Sequence, residues 1–232
     1  MGHAHALLLI LHRSRTLRDG LEVALKRLAC FVLAAALLLA SPVTAADQPT
    51  VGQVDRVQGA VTASQAQTAR PLATASALLF KDLLQTGAEA RLAATLIDGT
   101  ALTLGEEARL LIDELVYDPA GGSGKLLLNV VAGAFLFVGG KIEEAAGADV
   151  VIRTPVGSIG IRGTTVWGGP IDGGYGVLVL DGEVTVSTTG GDVVLSAGQA
   201  TMIFDPARGP FPGYGWTQEK IDRAVQTISF AE

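Results

Sequence analysis

Three pairs of adjacent acids, Glu106-Glu107, Asp113-Glu114 and Glu143-Glu144, are the residues best suited by type to chemistry. Two carboxylates flanking one bond can protonate a leaving group and activate water. Their spacing argues against that use, because neighbours in a strand point to opposite faces and no pair delivers both groups to one site. Gly121-Gly122-Ser123-Gly124-Lys125 invites reading as a phosphate loop, yet Pro119 stands where its first glycine belongs and Leu126 replaces the magnesium-holding Ser or Thr. Gly157-Ser158-Ile159-Gly160 is not Gly-x-Ser-x-Gly, so Ser158 reads as a turn serine. Gly173-Gly174-Tyr175-Gly176 lacks the aspartate of calcium-binding repeats.

The histidines are His3, His5 and His12, and the one cysteine is Cys30. All four lie in a segment with the layout of a secretory signal. Arg13, Arg15, Arg18, Lys26 and Arg27 precede an apolar run over residues 28–40, and Val43-Thr44-Ala45 supplies small residues before a cut near Ala45 or Ala46. The alternative is an uncleaved inner-membrane anchor, since residues 28–46 approach the ~20 that a spanning helix needs. Ser41, Pro42 and Thr44 weaken the anchor, and the long basic region is also compatible with an over-extended start. The apolar run follows Cys30 rather than preceding it, which excludes a lipidation site.

Cleavage would leave a chain without His or Cys, and so without disulfides, thiolate or His-dependent catalysis, or the usual zinc and copper sites. The expectation is no catalytic residue, no metal and no cofactor. The mature chain, residues 47–232, would carry 12 basic against 21 acidic residues, a net of −9. Its Lys and Arg are scattered, so nucleic acid is not an expected partner.

The elements that position these residues read as all-β. Period-2 alternation marks residues 91–96, 100–104, 109–117, 126–138, 149–154, 164–167, 177–186 and 192–204. Asp98-Gly99, residues 119–124, Gly139-Gly140, Asp172-Gly173-Gly174, Asp181-Gly182 and Gly190-Gly191-Asp192 supply the turns between them. The expected architecture is a short-strand solenoid or flattened sandwich, preceded by the signal helix. Residues 57–64 and 180–187 share the pattern apolar-x-Gly-x-Val-Thr-x-Ser, which predicts similar glycine-kinked strands and a pairing of Val61 with Val184.

Within residues 153–164, Pro155, Gly157, Gly160 and Gly163 punctuate a β-forming tract, and Ile159 and Ile161 alternate with Arg162. The tract suits backbone shape more than catalysis. Thr154-Pro155-Val156-Gly157-Ser158-Ile159-Gly160-Ile161-Arg162-Gly163-Thr164 resembles the signature of the FecR domain, named for the periplasmic part of an iron-citrate signalling protein. Residues 84–100, ending in Asp98-Gly99-Thr100, and residues 125–141, ending in Gly-Ala-Phe-Leu-Phe-Val-Gly-Gly-Lys, resemble two further passages of that family in the expected order. The resemblance covers roughly residues 51–201 and implies a β-rich sensor domain. The family's cytoplasmic sigma-factor-binding part and C-terminal receptor-docking part find no counterpart, so transcriptional control is not carried over.

The domain bounds that follow are a signal segment over 1–46, a FecR-like β domain over 47–204 and a C-terminal segment over 205–232. Arg162 lies opposite the two isoleucines. It either pairs with a carboxylate such as Asp98 or Asp181, the preferred expectation, or faces a partner. Phe204, Phe211, Tyr214 and Trp216 lie in or beside a Pro/Gly-rich stretch that drapes over the sheet, as a lid on an open edge or as a stacking platform for a glycan or peptide. Ile221, Ala224, Val225 and Ile228 then recur at helical spacing, predicting a short amphipathic helix.

Arg162, Trp167, Tyr214 and Trp216 are the candidate binding residues. The resemblance implies an exported, non-enzymatic module, periplasmic or secreted, that recognises an envelope protein or small ligand. A polysaccharide-acting or glycan-binding protein and a structural β scaffold are the alternatives. Membrane contact is expected only through the signal anchor, if retained.

Overall fold

Alternating apolar residues become strands wherever a continuous core lies on one side of them, and here that rule holds along most of the described residues. The computed structural model describes residues 48–66, 68–118, 123–145 and 147–231; the expected signal helix lies outside them. The strands are β1 (Thr50–Gln58), β2 (Val61–Gln65), β3 (Thr68–Pro71), β4 (Ala77–Leu79), β5 (Leu83–Thr86), β6 (Arg91–Leu96), β7 (Ala101–Leu104) and β8 (Arg109–Tyr117). They continue with β9 (Gly124–Ala132), β10 (Phe135–Val138), β11 (Asp149–Thr154), β12 (Gly157–Ile171), β13 (Gly174–Thr188), β14 (Gly191–Ser196) and β15 (Ala200–Ile203). One helix, α1 (Gln218–Gln226), follows.

The all-β expectation holds, as one sheet that curls into a half-barrel. Its path runs β3-β2-β5-β8-β9-β11-β12-β10-β7-β6-β1-β4, and β13 leaves it from β12, carrying β14 and β15 on its far side. Pairing is antiparallel except between β9 and β11. β12 and β13 are the longest strands, and their register shifts around Arg162 and Thr165. There Gly163 and Gly182 face each other with φ of 62° and 79°, and a side chain on Gly182 would collide with the Gly163 carbonyl.

The apolar run over 126–138 is broken in two. Gly133 adopts φ 79° and its Cα abuts Ala108, so β9 ends and β10 starts as a separate strand beside β7 and β12. The echo between residues 57–64 and 180–187 is real in conformation but not in contact. Gly59 and Gly182 share φ near +70° to +80° (70° and 79°), yet β2 pairs with β3 and β5 while β13 pairs with β12, β14 and β15. Gly59 turns β1 into β2, whereas Gly182 only bends a continuous strand, so the predicted Val61–Val184 pairing is absent.

The main core gathers Leu84, Leu110, Leu128, Phe135, Phe137, Ile152, Ile159, Val184 and their neighbours. A second core forms under the C-terminal segment from Trp167, Leu178, Met202, Trp216, Ala224 and Ile228. Thr217 caps α1 by accepting from the Lys220 amide at 3.4 Å, and the helix buries Ala224 while Val225 stays exposed. The Trp167 indole donates to Thr227 Oγ1 at 3.1 Å and meets Trp216 edge-to-face at 6.0 Å. Asp172 adds an ionic tether, with Arg223 at 2.6 Å and Lys220 at 2.9 Å, which together hold its carboxyl at about 2. No helix among the described residues is long and apolar enough to cross a membrane.

Trp167→Ala removes the largest fully buried side chain of the second core and should cost about 3–5 kcal/mol. Chemical denaturation measures that loss, and amide exchange should show α1 losing protection before the strands of the main core.

Candidate functional site

The three passages singled out in the sequence converge on one corner of the sheet. Asp98, on the turn between β6 and β7, is 1% exposed and accepts from the Thr100 amide at 3.1 Å, the Thr100 hydroxyl at 2.8 Å and the Ile142 amide at 3.4 Å. Its carbonyl accepts from the Lys141 amide at 2.9 Å. Gly140 permits this approach, since a Cβ there would lie 2.7 Å from an Asp98 carboxylate oxygen. The Gly139 amide donates to the Thr164 carbonyl at 2.9 Å, and the Thr164 hydroxyl donates to the Glu183 carbonyl at 3.0 Å. Asp98, Gly140 and Thr164 are therefore the pins of a fastening between β7, β10, β12 and β13. A buried carboxylate with three donors is well suited to that task.

Glu143 closes the corner by accepting from the Thr164 amide at 3.0 Å, while its other oxygen is buried without a partner. Burial pushes its carboxyl above the ordinary value and the charge of Asp98 adds to the rise, against hydrogen bonds from Thr164 and Gly163. A cleft of about 260 Å³ outside it is lined by Glu143, Glu144, Thr164, Thr165 and Asp181 among others. Among the described residues no group of three or more His, Cys, Asp or Glu is placed to hold a metal ion.

The other acid pairs are dispersed into separate surface contacts. Asp113 meets Lys81 at 2.6 Å and Asn129 at 2.8 Å, Glu114 meets Lys125 at 3.0 Å, and Glu106 lies 3.8 Å from Arg91. That leaves Lys125 in β9, paired to a carboxylate, with Gly124 starting the strand; Gly121 and Gly122 fall outside the described residues.

Pro155 and Val156 form the turn of the β11–β12 hairpin, where Thr154 Oγ1 donates to the Gly157 carbonyl at 3.0 Å and accepts from the Val156 amide at 3.3 Å. Ile159 enters the core and Ile161 packs against it. Arg162 takes the opposite, solvent side, across from Glu183 in the register. It has no ion pair within the described structure, so the expected lock onto Asp98 or Asp181 does not form; Asp98 is already committed to Thr100 and Ile142. Arg162 instead stands on an exposed face whose rows run Arg162-Glu183-Ser196, Gly160-Thr185-Val194 and Ser158-Ser187-Asp192. Sequence reasoning missed Thr185 and Val194, although strict alternation over residues 183–188 and 191–196 carried the signal.

The remaining candidates divide between core and surface. Trp167 and Trp216 are 0% and 7% exposed and hold the helix; they present no ring to a ligand. Tyr214 is exposed, and its backbone exchanges hydrogen bonds with Ala200 at 2.8 and 3.0 Å while the Phe211 amide donates to Met202 at 3.0 Å. The segment thus covers the outer edge of β15, the lid arrangement. Phe204 and Phe211 nevertheless remain more than half exposed, edge-to-face at 5.8 Å, beside a cleft of about 460 Å³ with Arg208 and Pro210.

Residues 82–185 match the protein family described as FecR protein. Two crystal structures of a proposed anti-sigma factor from Parabacteroides distasonis are similar at 17% and 16% identity, each with a TM-score of 0.49 and covering 62% of this chain. The chain spans 64% of the length of those structures. No curated protein matches it.

Asp98→Ala strips three buried donors of their acceptor and should destabilise the fold by about 2–4 kcal/mol, read from denaturant midpoints. Glu143→Gln should act oppositely at neutral pH. A carboxyl raised in the folded state contributes stability that is fully present below its ordinary 4.5 and lost as pH rises through the raised value. Melting temperatures of the two proteins should therefore diverge above that range, with the variant higher, and converge in acid.

Proposed function

We propose that this chain, which carries a FecR domain over residues 82–185, is a non-enzymatic binding module of the bacterial envelope that recognises a protein through the exposed face of β12, β13 and β14. The FecR match over residues 82–185 supports a signalling or sensor role. The observation that carries the finer reading is Arg162. It lies in the signature segment, yet it is exposed and unpaired while the rest of that segment is spent on the hairpin turn, the core and the Asp98 corner. A long cation held on rigid strands, across from Glu183 without an ion pair to it and next to the small row of Gly160 and Thr185, is positioned for contact with another molecule. Export to the periplasm, with the signal removed near Ala45 or Ala46, completes the proposal and rests on residues 1–46 alone.

A second reading rests on the exposed Phe204–Phe211 pair and its cleft, which would suit stacking of a sugar ring.

Affinity capture from solubilised envelope separates the two. The expected result is a protein retained by the wild type and lost by Arg162→Ala, with both melting at the same temperature. Saturable binding of envelope polysaccharide that Phe211→Ala abolishes and Arg162→Ala leaves intact would overturn the protein-binding reading.

A further inference from the structure

Edges decide what a curled sheet can pair with, and the edges here are treated unequally. β3 carries Pro71, β4 has only three residues, and the outer edge of β15 is covered by the backbone of Phe211 and Tyr214. β14 has six residues, Gly-Asp-Val-Val-Leu-Ser, with neither proline nor lysine, and pairs on one side only, with β13.

Its register fixes which groups are free. The two-residue turn Thr189-Gly190 makes Thr188 and Gly191 the closing pair, so hydrogen-bonded pairs recur at Val186–Val193 and Val184–Leu195. The Ser196 amide, turned outward, is taken by Gln199 Oε1 at 2.9 Å, as that alternation requires. The amides and carbonyls of Asp192 and Val194 therefore face the free edge, and no backbone group of the described residues bonds to them. Val194 is 54% exposed at the centre of this edge.

Charge selects the occupant. Residues 163–207 contain five acids and neither Lys nor Arg. Asp172 is neutralised by Arg223 and Lys220, and Asp205 lies 3.5 Å from Arg208. Asp181, Glu183 and Asp192 are exposed and have no side-chain partner, with Asp192 on β14 itself; the nearest cations on this face among the described residues, Arg162 and Arg153, lie two and three strands in from the edge.

We propose that the free edge of β14 takes up an extended, net-cationic protein segment as an added strand, bonded to the backbone of Asp192 and Val194, with a Lys or Arg opposite Asp192 and an apolar residue against Val194. This rests on the binding-module reading and names the chemistry of its partner. Backbone pairing supplies affinity, alternate side chains supply selection, and the ionic part weakens with salt.

The test titrates the full chain with a synthetic peptide of alternating Lys and Val, and with its Glu/Val counterpart, while following amide exchange. The expected result is saturable binding of the Lys/Val peptide only, with exchange slowed at Asp192 and Val194. Val194→Pro removes one outward amide at an edge position that tolerates proline and should weaken binding by about tenfold or more. Asp192→Lys should weaken it too and admit the Glu/Val peptide. Absence of saturable binding, equal affinity for both peptides, or unchanged exchange at Asp192 and Val194 would each overturn the proposal. So would a dimer that protects the same two amides without peptide, which would assign the edge to a second copy. Should Val194→Pro unfold, exchange in the wild type decides alone. If envelope capture stays sensitive to Arg162→Ala but not to Val194→Pro, the edge fails and the module stands.

Discussion

The bend shared by β12 and β13 is the constraint on which the other features depend. Two fifteen-residue strands cannot follow a tightly curled sheet with unbroken register, and the shift is placed where Gly163 and Gly182 face each other at positive φ. On one side of the bend, Ile159, Val184 and Val186 enter the main core. On the other, Val166 and Val179 remain in the main core while Trp167 and Leu178, on the opposite face, enter the second. The bend needs a brace, and Thr164 provides it, holding the Gly139 amide, the Glu183 carbonyl and the Glu143 carboxylate from one residue. Asp98 in turn secures residues 141 and 142, so that the three passages that characterise the chain form one mechanical unit.

Much of this was legible because β alternation is a local signal. The strands at residues 91–96, 109–117 and 149–154 follow from periodicity alone, and Thr217 with the Ile221-Ala224-Ile228 spacing gives the helix. What periodicity could not give was termination. The run over residues 126–138 reads as one strand until the close packing of Gly133 on Ala108 is known, and the 57–64 echo reads as a pairing until β2 is seen between β3 and β5. Both depend on contacts distant in the chain. Tryptophan misled for a related reason: Trp167 and Trp216 look like ligand platforms by type, but type does not say whether an indole will find a helix to cover it.

The division of labour among side chains follows the same logic. Carboxylates that could have served chemistry are used in the fastening, as Asp98 and Glu143 are, or scattered into ion pairs with Lys81 and Lys125. The signature segment is almost wholly consumed by turn, core and brace. Arg162 is the residue left over, and a residue that stability does not use is the better candidate for recognition.

An open strand edge is ordinarily a hazard, since like chains can pair along it. Asp192 changes the balance between partners. On a chain whose residues 47–232 carry a net charge of −9, a second copy approaching β14 brings further acid to an edge that already holds Asp192, with Glu183 behind its far end on β13. A basic segment gains the same backbone bonds and meets attraction instead of repulsion. Proline on β14 would have removed an outward donor, lysine would have reversed the charge of the partner selected, and a neutral residue would have left the edge open to self-pairing. A single acid beside an exposed valine disfavours self-pairing while leaving the strand able to accept one class of neighbour.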